Sequence, residues 1–216
     1  MKLQILIFLL ITNSCHSQEN SRYKIEKDYF LIGTISDYMG RFKDPLDTMN
    51  VDSYYENERP LLDFNYALFK KDYGDLKKDS LNKKLESAKL LKKINSYFNW
   101  VYDPNWSNKN HDSLYIGYVD LKKIQTETQK SSFLLGVYTR YGQKNDSTYC
   151  INISSSNTLF DTSLKILKDL KCRKVESKIY EGIPVSCVIY FQPTDRLKMY
   201  LDYYGSLRRK IWDKEK

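Results

Sequence analysis

The 216-residue chain carries 35 Lys and Arg against 27 Asp and Glu, a net charge of +8. No stretch of it reaches the ~20 consecutive apolar residues that cross a bilayer, which argues against a retained transmembrane helix. No basic-aromatic recognition motif accompanies the charge, so nucleic acid is not an expected partner. The lysines fall along predicted helices, as solvated faces do. The excess residue is tyrosine, 19 against 9 Phe and 3 Trp, which suits half-exposed strand positions that bury the ring and keep the hydroxyl wet.

Residues 1–17 have the layout of a secretory signal peptide: Lys2, the apolar run Leu3–Ile11 broken only by Gln4, then small and polar Thr12–Ser17. Cys15 has two readings. In one it is the lipid-attachment site of a bacterial lipoprotein, cleaved just before it, and the two or three acyl chains anchor the protein to a membrane. In the other, cleavage after Ser17 leaves Gln18 first. Both predict an exported protein, periplasmic or associated with the outer membrane. Polar residues 18–27 read as a tether.

Residues 28–125 read as an N-terminal α/β region with two amphipathic helices. Tyr29–Ile35 is expected as a strand. Lys43–Arg59 reads as a solvated, acid-rich loop (Asp44, Asp47, Asp52, Glu56, Glu58) whose spacing lacks the central glycine of a calcium loop. Pro60 opens a helix with Leu61, Leu62, Phe64, Leu68 and Phe69 on one face. Asp79 or Ser80 is expected to cap a second helix carrying Leu81, Leu85, Ala88, Leu91, Ile94, Tyr97 and Phe98. Trp100–Asn110 reads as a turn-rich loop whose Trp100 and Trp106 either fold back over the helices or stand exposed as a binding surface. Leu114–Leu121 is a strand, and a domain boundary is placed near residue 125.

Phe133–Phe191 holds the clearest order of elements. Phe133–Tyr141 reads as a strand, Gly142–Asp146 as a turn, and Ser147–Ile153 as a second strand. Leu159, Phe160, Ser163, Leu164, Leu167 and Leu170 recur at helical spacing. Val175–Tyr180 and Ile183–Phe191 form a hairpin across Glu181-Gly182. That turn sets residue 176 opposite Cys187 and Cys172 near residue 191, against a 172–187 disulfide among Cys150, Cys172 and Cys187. After Pro193, residues 193–216 read as an amphipathic helix with a basic end, docked on the sheet or, alternatively, laid on an anionic membrane.

The helix Leu159–Lys171 and the stretch Gly182–Phe191, with its Gly-Ile-Pro-Val turn, resemble the C-terminal domain of the TonB energy-transducer family over residues 130–192. The resemblance implies an α+β fold, a helix on a small antiparallel sheet, in a periplasmic module that pairs with a strand presented by an outer-membrane transporter. It places the partner-binding strand at Val185, Cys187, Ile189 and Phe191, with Tyr180–Phe191 or Phe133–Tyr141 as the exposed edge. Cys172-Arg173-Lys174-Val175 replaces the family's aromatic-x-Pro element, and the chain holds only five prolines where a transducer has a proline-rich spacer. Energy transduction itself would need an uncleaved N-terminus.

The chemistry-bearing motifs are few. After the signal region the single histidine is His111, and no Gly-x-Ser-x-Gly, phosphate-binding glycine loop or Cys-x-x-Cys occurs. No metal ligand set, catalytic residue or cofactor is assigned. The reading is a non-enzymatic binding or assembly module contacting another envelope protein through a strand edge. The alternative is an enzyme acting on an envelope polymer with loop carboxylates, Asp37, Asp103 and Asp112 being the candidates.

Overall fold

A computed structural model describes residues 24–35, 41–43, 46–107, 113–146 and 148–212, which form an α+β fold. The first half runs α1 (Lys27–Thr34), β1 (Arg41–Lys43), β2 (Asn50–Ser53), α2 (Arg59–Phe69), β3 (Lys77–Asp79), β4 (Lys84–Glu86), α3 (Ala88–Asn95), β5 (Phe98–Ser107) and β6 (Ser113–Val119). The second runs α4 (Glu127–Tyr141), β7 (Gly142–Asn145), β8 (Thr148–Ser154), α5 (Asn157–Asp169), β9 (Arg173–Tyr180), β10 (Ser186–Gln192), α6 (Asp195–Tyr203) and α7 (Gly205–Trp212). The strands make three antiparallel sheets, ordered β1-β6-β5, β2-β4-β3 and β7-β8-β10-β9. No helix among the described residues is long and apolar enough to cross a membrane.

At the centre lies α4, and it corrects the strand expected at Phe133–Tyr141. Every residue from Ser131 to Arg140 is buried. A helix apolar all round is one enclosed by other elements, and α4 packs against α1, α5, α6, α7 and β8. Its start is fixed by a capping box: Thr126 Oγ1 accepts from the Gln129 N–H, and Gln129 Oε1 accepts from the Thr126 N–H.

The strand expected at Tyr29–Ile35 is likewise a helix, α1, with Phe30–Thr34 buried. Its closest neighbour is α4, and two glycines permit the approach. A Cβ on Gly33 would sit 2.1 Å from the Phe133 carbonyl oxygen, and one on Gly136 would sit 2.1 Å from that of Phe30. Backbone meets backbone there, so no side chain fits.

Three other expectations change. The helix expected from Asp79 becomes the β3–β4 hairpin, because Asp79 Oδ1 accepts from the Leu81 and Asn82 N–H groups of a turn. The helix proper begins after Ser87, whose Oγ accepts from the Leu90 N–H. Trp100–Asn110 supplies strand β5 as far as Ser107, while Trp100 lies tilted on Phe98 with its indole N–H donating to the Asn95 carbonyl at 3.1 Å. The C-terminal helix is two helices, interrupted at Tyr204. α2, β6, β8, α5 and the β9–β10 hairpin stand as expected. The buried core is continuous from Phe30 to Ile211 and runs across residue 125.

Candidate partner-binding edge

The four-stranded sheet presents one face to α4, α5 and the core, through Tyr149, Ile151 and Ile153 of β8 and Cys187, Ile189 and Phe191 of β10. β10 lies between β8 and β9, hydrogen-bonded to both. It is therefore an interior strand, and the edge expected at Tyr180–Phe191 is displaced to β9. Of the expected contact residues, Cys187, Ile189 and Phe191 are buried core, and Val185 alone is exposed, in the loop before β10. The hairpin is wider than a two-residue turn: Ser186 pairs with Tyr180 and Cys187 with Ile179. Pro184 explains the shift, since a proline has no N–H to give to the ladder.

β9 is eight residues long, with one side paired to β10 and the other unpaired among the described residues. The direction of its backbone groups follows from the register. The Ser155 N–H donates to the Val185 carbonyl at 2.8 Å, so Cys187, Ile189 and Phe191, in step with Val185, turn their backbone groups toward β8. Ser186, Val188 and Tyr190 turn theirs toward β9, where they face Tyr180, Lys178 and Glu176. The remaining β9 residues, Val175, Ser177 and Ile179, present N–H and C=O outward. The side chain of Ile179 lies on the core-facing side of the sheet yet is 62% exposed, because no described strand extends the sheet beyond it. Tyr180, Ile183 and Val185 continue this apolar surface around the hairpin tip.

One constellation was hidden from sequence reasoning. The Arg140 guanidinium, 1% exposed, uses all five of its N–H donors. Nε and Nη2 donate to the two oxygens of Glu58 at 2.9 and 2.7 Å. Nη1 donates to Asp52 Oδ2 at 2.8 Å and to the Thr34 carbonyl at 2.6 Å. Nη2 also donates to the Ser53 carbonyl at 2.7 Å, and the Tyr54 ring stacks 5.1 Å away. Burial opposes the charge, but Asp52 and Glu58 outweigh it and hold the guanidinium's pKa well above its ordinary value. Burial and the neighbouring Asp52 push the Tyr54 phenol well up. With every donor occupied, this is a clasp joining α1, β2, the Glu56–Glu58 turn and α4. Two carboxylates of the supposed solvated loop are thus interior.

Other candidates assemble no chemistry. Cys15, Asp37, His111 and Asp112 lie outside the described residues, and the backbone of Asp103 sits in β5 opposite Leu114. Cys150, Cys172 and Cys187 form no disulfide among the described residues, and burial raises the pKa of each, which makes them poor nucleophiles. Among the described residues no group of three His, Cys, Asp or Glu could hold a metal. A cavity of about 20 Å³ beside Ile32, Arg41 and Ser156 has room for one water. An open groove of about 380 Å³ carries Tyr29, Lys93, Tyr97, Lys122 and Lys123, without a nucleophile and base in partnership. Comparison with protein-family models and with curated proteins found no match for the chain.

Proposed function

We propose that the protein is an exported binding and assembly module of the Gram-negative envelope, anchored through Cys15 where that residue is lipidated, which contacts another envelope protein by accepting a strand at β9. The observation that carries this reading is the edge of β9, unpaired among the described residues, with the backbone groups of Val175, Ser177 and Ile179 turned outward and Ile179 62% exposed on the core-facing side. An added strand would satisfy those groups by β-augmentation and cover the isoleucine. The order β7, β8, α5, β9, β10 also fits the resemblance to TonB C-terminal domains, with β7 in the place first given to Phe133–Tyr141.

The test is capture from crosslinked, detergent-solubilised envelopes with the tagged full chain and its Ser177→Pro variant. Proline at 177 removes an outward N–H and leaves the β9–β10 ladder intact. A protein recovered with the parent and lost with the variant, at unchanged circular dichroism, supports the reading. Equal recovery with both refutes it.

A further inference from the structure

The sequence along the free edge is complementary to itself. Reading outward from Ser177, Glu176 is matched by Lys178, and Val175 by Ile179. If two β9 strands pair antiparallel about Ser177, each Glu176 stands opposite the other chain's Lys178, and each Val175 opposite the other chain's Ile179. Opposite charges and paired β-branched residues at directly facing positions are the favourable cross-strand combinations.

The backbone supplies an independent condition. A two-fold axis through a residue of an antiparallel pair requires that residue to point its N–H and C=O at its own copy, or both at the strand behind. The register with β10 turns the N–H and C=O of Ser177 outward, together with those of Val175 and Ile179. Pairing at Ser177 therefore closes hydrogen-bonded pairs at 175–179, 177–177 and 179–175, about six bonds in all. Glu176 and Lys178 fall at the intervening positions, where facing side chains come closest. The bulge between Tyr190 and Gln192, with Lys174 at φ 48°, ends the regular edge just before Val175.

We infer that the strand β9 accepts is β9 of a second copy of this chain, joined about a two-fold axis at Ser177 into a continuous eight-stranded sheet. This deepens the strand-edge reading and rests on it. Lysines on an edge strand ordinarily guard against pairing; here Lys178 of each chain meets Glu176 of the other, so the guard acts against mismatched registers and partners. The core-facing side gains the contact of Val175 with Ile179 twice over, covering the isoleucine that the single chain leaves exposed. Such a contact is isologous and closes at two copies.

The experiment is sedimentation equilibrium of the full chain in detergent, beside Glu176→Lys, Lys178→Glu and the double exchange. The parent is expected to be a dimer. Each single reversal sets like charges opposite at both symmetric positions and should weaken association by about tenfold or more. The double exchange restores both pairs and should restore the dimer. Crosslinking fixes the register: Ser177→Cys places the two Cα atoms roughly 5.5 Å apart, within disulfide reach, whereas Lys178→Cys places them beyond about 7 Å. A linked 177–177 peptide identified by mass spectrometry, with none at 178, is expected. A monomer at high micromolar concentration, or a double exchange as weak as the singles, overturns the self-pairing. If Ser177→Pro then still abolishes capture of a different envelope protein, the strand-edge reading survives alone. If that capture is also indifferent to Ser177, both fall.

Discussion

Replacing Arg140 by Met removes the group on which four segments of the chain converge. The methionine fills much of the volume, so the loss is electrostatic. Asp52 and Glu58, both almost completely buried, lose the positive charge that the guanidinium holds at 2.8 and 2.7 Å. Breaking a buried pair from one side costs roughly 3–5 kcal/mol, because an uncompensated charge remains inside. The Thr34 and Ser53 carbonyls lose donors as well. Against a total stability of about 5–15 kcal/mol for a typical domain, that loss is severe. At about 2–4 °C per kcal/mol for a protein of this size, the melting temperature should fall by about 6–20 °C. Arg140→Lys should recover little, since an ammonium has three donors and lacks the planar fork that grips Glu58. The informative variant is Arg140→Met with Asp52→Asn and Glu58→Gln, which removes the stranded charges and should regain a large part of the loss. Urea unfolding followed by circular dichroism gives the three values. A loss below about 1 kcal/mol for Arg140→Met, or a triple variant no more stable than the single, would refute the argument that the clasp is a desolvated ion pair.

Gly136→Ala should destabilise by about 1–3 kcal/mol or more, although the same change in an exposed helix stabilises by about 0.5–1 kcal/mol; the sign, read from urea midpoints, tests the contact of α1 with α4. Ser177→Pro should change the stability of the dissociated single chain by less than about 1 kcal/mol, because the N–H it deletes points away from β10; a larger loss in chemical denaturation, carried out dilute enough that the parent sediments as a monomer, would mean that residue 177 faces β10. Burial raises Tyr138 and Tyr204 to about 12. A phenol raised in this way contributes stability that is whole below its ordinary pKa of about 10 and is lost as pH rises from there toward 12. Tyrosinate absorbance should therefore rise in two stages, the later one accompanied by loss of helical signal. A single stage near pH 10 with the helices intact would contradict the burial of these rings.

The elements legible in the sequence were those with a period or a local signal. α5 shows 3.6-residue spacing, β8 and the β9–β10 hairpin show β-branched runs bounded by turn residues, and Pro60 stands at the start of α2. α1 and α4 failed for one shared reason: each is enclosed by other elements, so its apolar residues run on without a period, and a buried helix then reads like a buried strand. Thr126 and Gln129 were a local start signal for α4, stronger than the composition that followed. At Asp79 the chemistry was right and the element wrong, because a carboxylate that accepts two backbone N–H groups serves a hairpin turn as well as a helix start. The Arg140 clasp could not be read at all. Glu58 and Asp52 lie 82 and 88 residues from their partner, and a short acidic segment reads as solvated until the helix that carries the arginine is placed beside it.

The candidate edge turns on the same distinction between local and distant information. The hairpin of β9 and β10 is local and its strands were recognised; which of the two faces solvent depends on β8, which reaches β10 only after the chain has passed through α5. Yet the two strands differ in a way that bears on the question. β10 carries Cys187, Ile189 and Phe191 on one face and Val188 and Tyr190 on the other, and a strand apolar on both faces is one with neighbours on both sides more often than an edge. β9 carries Arg173, Lys174, Glu176 and Lys178, charges an interior strand would have to desolvate. The apolar residues left on β9 are Val175, Ile179 and Tyr180, and two of them sit symmetrically about Ser177. An edge that needed only to stay soluble could be charged throughout. One that sets apolar residues alike and charges opposite on the two sides of Ser177 suits the pairing proposed for it.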